Sequence, residues 1–107
     1  PEDSPAQRSA RVRLAALWTR LHGELARPWT VRQMAELVHM SESHFARTVQ
    51  SLYGMQPMRM LAGLRMEHAA ALLRSTGSAL ETVAESCGYA SAYAFSAAFL
   101  RTAGKQA

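Results

Sequence analysis

The sequence predicts an all-α chain built as two helix-turn-helix subdomains joined by a long central helix. Three observations lead there. Apolar residues recur at helical spacing nearly end to end, and no stretch alternates apolar and polar residues as a strand would. A short helix, a tight turn and a longer helix occur twice in succession. A straight segment opened by Pro57 separates the two copies.

The first helix is expected over about Pro5 to Leu25. Its apolar stripe is Leu14, Leu17, Trp18, Leu21 and Leu25, the spacing of one buried face. Pro28 breaks the chain, and Thr30 suits the N-cap of a short second helix over Val31 to Val38, with Met34, Ala35 and Val38 inward. His39 and Met40 make a tight connection. Ser41 then caps a third helix to about Tyr53, buried through Phe45, Val49 and Leu52 and stopped by Gly54.

Pro57 opens a fourth helix to about Ser75, with Leu61, Met66, Ala69, Leu72 and Leu73 as core positions. At ~1.5 Å per residue, the stretch from Pro57 to Arg74 spans about 27 Å. Gly77 and Ser78 end it. A fifth helix follows over about Leu80 to Ser86, and a sixth runs over about Ser91 to Ala103, with Gly104 as its stop. The repeat aligns Ala35, Val38, Met40, Phe45, Val49 and Gly54 with Ala84, Cys87, Tyr89, Phe95, Phe99 and Gly104, provided the second turn is one residue longer. The expected organisation is an N-terminal helix over 1–27, a first helix-turn-helix over 28–55, a linker helix over 56–76, a second helix-turn-helix over 77–104 and a tail over 105–107.

Composition narrows the function classes. With 107 residues and 49% hydrophobic content, the chain can bury a core, so disorder throughout is excluded. No apolar run approaches the roughly 20 residues that cross a bilayer, and Pro1-Glu2-Asp3-Ser4-Pro5 does not begin a signal peptide. No membrane partner is expected. A chain starting at Pro1 without Met reads as a fragment or a processed product. The single cysteine, Cys87, can form no internal disulfide and suits a reducing cytoplasm, where its job is packing. His22, His39, His44 and His68 lack metal-ligand spacing, and neither a glycine-rich phosphate loop nor a nucleophile–base pair is present. The expectation is therefore no enzyme, no metal and no cofactor. The net charge of +4, carried by arginine everywhere but Lys105, favours a polyanionic partner, with nucleic acid ahead of membrane.

In a helix-turn-helix the second helix offers its N-terminal half to base edges in the major groove. The exposed positions of the third helix are Glu42, Ser43, His44, Ala46, Arg47 and Gln50. Arg47 is the strongest reader, because a guanidinium bonds bidentately to guanine O6 and N7, although a solvated surface arginine is the plain alternative. Ser43 can bond several bases or a phosphate, and Ala46 can touch a thymine methyl. His44 and Gln50 are additional contacts. The equivalent set in the sixth helix, Ala92, Tyr93, Ser96 and Ala97, is poor in hydrogen-bonding groups, so positioning and specific readout stand level there. Phosphate contacts are assigned to Arg32, Arg59, Arg65, Arg74 and Arg101, and to the helix starts at Thr30, Ser41 and Ser91. Arg65, mid-helix beside core positions, could equally pair with an acid.

At these residues the chain resembles the AraC/XylS transcription regulators, through their C-terminal DNA-binding domain. The likeness covers about Val12 to Gly104. It is carried by Trp29-Thr30-Val31, Ala35, Met40-Ser41, Phe45, Arg47, Gly54 and Pro57 in the first unit, and by Leu64-Arg65-Met66, Ala69 and Leu72-Leu73 in the linker. Val83-Ala84, Gly88-Tyr89, Ser91, Phe95-Ser96, Phe99 and Gly104 carry it in the second unit. The resemblance implies a homeodomain-like, seven-helix fold on two adjacent major-groove segments of double-stranded DNA. It places base contacts at Ser43, Ala46 and Arg47, and at Ala92, Tyr93, Ser96 and Ala97. It also implies a bacterial, cytoplasmic regulator, commonly an activator that works with RNA polymerase. An N-terminal effector-binding domain would lie before Pro1, and the His22 and Arg27-Pro28 region looks like the subset with a cupin-like sensor. Three departures stand out: His39 where glycine is usual, Ala97 where a polar or basic reader is common, and no proline-containing closing helix after Gly104. The alternative reading is a helical interaction module in which only the first unit reads DNA and the second contacts a protein.

Overall fold

The structure, a computed structural model, describes residues 4–106, with side chains through Arg101. Six helices run in order: α1 (Pro5–His22), α2 (Val31–Leu37), α3 (Glu42–Tyr53), α4 (Pro57–Thr76), α5 (Leu80–Ser86) and α6 (Ala92–Gln106). No strand occurs among the described residues. Two compact units form, Pro1–Glu24 with Trp29–Met60, and Leu25–Pro28 with Leu61–Ala107. The division falls inside α4.

In the first unit, α1 buries Leu14, Leu17 and Leu21. Against these helices α2 buries Met34 and Ala35, and α3 buries Phe45 and Val49. Trp29 is buried too, and its indole N–H donates to the Glu24 carbonyl at 2.9 Å, which satisfies the one polar atom of a large apolar ring. Trp18, expected in the core, is half-buried and meets Tyr53 edge-on at 5.9 Å. Leu52 is also half-buried.

The second unit closes around Met66, Ala69, Val83, Ala84, Cys87, Phe95 and Ala98, with Leu72 and Tyr89 against that cluster. Phe95 meets Tyr89 edge-on at 5.7 Å. Burial pushes the Cys87 thiol above its ordinary 9.0, with the Ser86 hydrogen bond and the Arg65 charge opposing the shift. Cys87 therefore packs as a neutral small apolar group.

The turn chemistry makes the internal repeat physical. In the first turn His39 N–H donates to Glu36 O at 3.2 Å and Met40 N–H to Ala35 O at 3.0 Å. In the second, Gly88 N–H donates to Glu85 O at 3.1 Å and Tyr89 N–H to Ala84 O at 2.9 Å. Both are Schellman closures, which require the residue after the cap to take positive φ. That residue is His39 at φ 59° in one unit and Gly88 at φ 91° in the other. After it, Ser41 follows Met40 directly, whereas Ala90 intervenes before Ser91. The two serines then cap alike: His44 N–H donates to Ser41 Oγ and Ala94 N–H to Ser91 Oγ, each at 3.1 Å.

Several expectations need correction. α1 ends at His22 rather than Leu25, because Gly23, a poor helix former, caps it with its N–H on Arg20 O at 3.1 Å. Leu25 is still buried, but within the second unit. α6 continues through Gly104 to Gln106; glycine inside a helix weakens it by about 1 kcal/mol without ending it. Leu73 and Phe99, expected inside, are 38% and 46% exposed. The resemblance implies seven helices, and six are described here.

Candidate nucleic-acid interface

The surface of interest begins at the N-terminus of α3. Ser41 caps the helix, and Phe45 and Val49 anchor its inner face with no exposed area. Ser43, His44, Arg47 and Gln50 consequently stand outward and exposed, with Ala46 half-buried between them. Thr48 Oγ1 donates to His44 O at 2.7 Å, and Gln56 Nε2 donates to Gln50 Oε1 at 3.1 Å. Helical periodicity places Ser43, Ala46, Arg47 and Gln50 on one stripe, the arrangement a groove-reading helix needs.

Gly54 ends α3 in the left-handed conformation at φ 74°, its N–H on Gln50 O at 2.9 Å. Upstream, Thr30 and Gln33 form a reciprocal capping box at the start of α2. The Arg13 guanidinium donates to the Val38 carbonyl at the other end of α2, a cation on the negative end of a helix.

A model of the helix-turn-helix domain family matches residues 34–106. An AraC-like transcription regulator of Streptomyces lividans is 37% identical over 91 residues, covering 85% of this chain and 30% of that protein. The RCS-specific HTH-type transcriptional activator RclR of Escherichia coli is 37% identical over 76 residues, covering 71% of this chain and 27% of that protein. The crystal structure of the DNA-binding domain of AdpA in complex with a target DNA superposes with a TM-score of 0.77 at 30% identity, covering 85% of this chain and 82% of that one. The chain belongs to the AraC-type helix-turn-helix domains. It spans about three-tenths of the length of the curated relatives it matches.

In the second helix-turn-helix of this AraC-type domain, Ser91 aligns with Ser41, so Ala92, Tyr93, Ser96 and Ala97 stand where Glu42, Ser43, Ala46 and Arg47 stand in the first. Tyr93 is 84% exposed, while Ala92, Ser96 and Ala97 are half-buried. The two outer faces thus differ in kind. One offers a guanidinium, an imidazole and an amide; the other offers a phenol and one half-buried hydroxyl, that of Ser96, among methyl groups.

The arginines assigned to phosphate divide by their partners. Arg32, Arg59, Arg74 and Arg101 are exposed. Arg65 instead spans two carbonyls, Nε to Leu25 O at 3.1 Å and Nη2 to Arg27 O at 2.9 Å. Both acceptors are backbone oxygens, not the acid that pattern reading offered as the alternative. Gly88 sits against this junction, where a Cβ would lie 2.9 Å from Leu25 O and 3.2 Å from Arg65 Nε. Burial raises the Tyr89 phenol above its ordinary 10.0, and the Arg65 and Arg101 charges oppose the shift.

Sequence reasoning gave α1 no part in this surface. The structure puts Ala6, Gln7, Ser9, Ala10 and Arg13 of α1 along an open cleft of about 500 Å³ that His44, Arg47, Thr48 and Ser51 of α3 line from the other side. A run of small residues at helical spacing ahead of the Leu14–Leu17–Leu21 stripe was the available signal. Among the described residues, no group of three or more His, Cys, Asp or Glu side chains could hold a metal, and no helix is long and apolar enough to cross a membrane.

Proposed function

We propose that this domain binds double-stranded DNA with α3 as its principal base reader, at Ser43, Ala46 and Arg47, assisted by His44 and Gln50. The observation that carries the reading is Arg47, which is exposed on the outward stripe of α3. Its guanidinium is available to bond guanine O6 and N7 together. The AdpA domain, similar over most of both chains, is seen on a target DNA, which supports the same use of the fold here.

In the second unit α6 offers Ala92, Tyr93, Ser96 and Ala97 to the adjacent major-groove segment, with thymine-methyl contacts, one phenol and one serine hydroxyl. Phosphates are held by Arg32, Arg59, Arg74 and Arg101 and by the helix starts at Thr30, Ser41 and Ser91. Arg65 belongs to the same set through its remaining N–H groups, while Nε and Nη2 serve Leu25 O and Arg27 O. The working division remains an N-terminal helix (1–27), two helix-turn-helix units (28–55 and 77–104), a linker helix (56–76) and a tail (105–107). In the whole protein this domain serves a cytoplasmic transcription regulator, an activator that engages RNA polymerase and takes its signal from an effector domain before Pro1. The chain's share of its longer relatives supports that larger setting.

A second reading rests on α6, where Tyr93, Phe99 and Leu100 are 84%, 46% and 69% exposed. On that reading α6 meets a protein partner, and only α3 reads DNA. Selection of bound duplexes from a random pool, followed by titration at two salt concentrations, separates the two. Two enriched blocks about one helical turn (10–10.5 bp) apart support dual readout. One block, insensitive to replacement of Tyr93 and Ser96 but lost with Arg47→Ala, supports the second reading. No enriched sequence overturns both.

A further inference from the structure

The leucine stripe of α1 seals it in the core at Leu14, Leu17 and Leu21. Continued toward the N-terminus, the same side of the helix carries Ala10, Ala6 and Ser9. These are too small to fill the space against α3, so the two helices leave the cleft of about 500 Å³ rather than a closed seam. Its walls carry the guanidinium groups of Arg13 and Arg47 and the imidazole of His44, and none of the described residues lining it is acidic. It opens beside the residues assigned to base reading.

We infer that this cleft seats the sugar–phosphate backbone of duplex DNA flanking the bases that α3 reads, making the N-terminal turns of α1 part of the DNA-binding surface. The inference rests on the base-reading role of α3 proposed above. The charge supports it, because a strand of phosphates is the polyanion that two guanidinium groups attract, and the remaining described lining residues add no negative charge to oppose it. The small residues of its α1 wall support it as well. A major-groove helix is flanked by phosphate backbone on each side, and a helix packed beside it with small residues foremost lets that backbone approach closely. Ser9 offers a hydroxyl of the kind that bonds phosphate oxygens without regard to sequence.

The test pairs charge substitutions in and out of the cleft in this same 107-residue chain. Ser9→Lys and Ser9→Glu place opposite charges on the cleft wall. Ala15→Lys and Ala15→Glu place them on an exposed position of α1 that does not line it. Expected are a log–log salt slope steeper by about one for Ser9→Lys, and severalfold weaker binding to all duplexes for Ser9→Glu. The Ala15 pair is expected to change affinity by less than about twofold, because Ala15 does not line the cleft and lies ~9 Å along the helix from Ser9, about one Debye length. Equal effects at positions 9 and 15 overturn the inference, since they report bulk charge alone. Thermal melting of each variant guards against loss of fold, and either sign at Ser9 suffices for the comparison. Base preference measured on Arg47→Ala keeps the two readings apart: if it is unchanged, base reading by α3 fails, while the 9-against-15 contrast still decides what fills the cleft.

Discussion

Replacing Gly88 with alanine tests how the second unit is closed. At φ 91° the backbone lies where an L side chain is strained, by about 1–2 kcal/mol. The added Cβ would also stand 2.9 Å from Leu25 O, a backbone atom with little freedom to yield, and 3.2 Å from Arg65 Nε. Relief requires the Arg65 guanidinium to release one or both carbonyls it bonds at 3.1 and 2.9 Å, and a hydrogen bond from a charged donor contributes about 1.5–3 kcal/mol. With one bond released, the expected loss is therefore about 2.5–5 kcal/mol. The equivalent position of the first turn supplies the control. His39 holds φ 59° without glycine, so His39→Gly should relieve strain and stabilise by about 0.5–1 kcal/mol, net of glycine's extra chain entropy. Urea unfolding followed by circular dichroism measures both, with mutant and parent midpoints compared at constant slope. Gly88→Ala within about 0.5 kcal/mol of the parent would refute the reasoning. It would mean that the contact with Leu25 O and Arg65 relaxes freely and that the second turn does not depend on a bare Cα.

Arg65→Ala should cost about 1.5–3 kcal/mol of stability through its two carbonyl bonds, whereas exposed Arg59→Ala should leave unfolding nearly unchanged and reduce the salt slope of DNA binding by about one; calorimetry beside binding titrations distinguishes them. Arg47→Ala should lower affinity for the selected site by about 1–3 kcal/mol more than for random duplex, and an equal loss on both would remove Arg47 from base reading. Ala79 starts α5 in an extended conformation with no side-chain cap, unlike Thr30 before α2, so Ala79→Ser should raise stability by about 1 kcal/mol in thermal melts. Cys87 and Tyr89 both lose their protons more reluctantly folded than unfolded. Stability should therefore hold through neutral pH and fall as pH climbs past the ordinary thiol value of 9.0, with a shallower fall in Cys87→Ala.

The sequence alone determined the helical class, the order of the elements and the doubled unit, because those follow from local physics. Apolar spacing names a buried helix face, Thr30 and Ser41 carry oxygens suited to capping, and Gly54 takes the left-handed turn that most residues resist. The outward set on α3 was legible for the same reason: once Phe45 and Val49 are fixed inward, periodicity leaves Ser43 and Arg47 outward. Tertiary structure decided what periodicity cannot see. Arg65 reads in the sequence as a phosphate ligand or the partner of an acid, and only the packed structure shows that it also bonds two carbonyls of the Leu25–Arg27 connector, some forty residues away in sequence. Leu73 and Phe99 fit the apolar pattern yet stand partly in solvent, since a stripe says which face is apolar but not how much neighbouring surface exists to cover it. The cleft between α1 and α3 arises the same way. It depends on where two helices separated in sequence stop touching, and that distance is set only when both have packed on a common core.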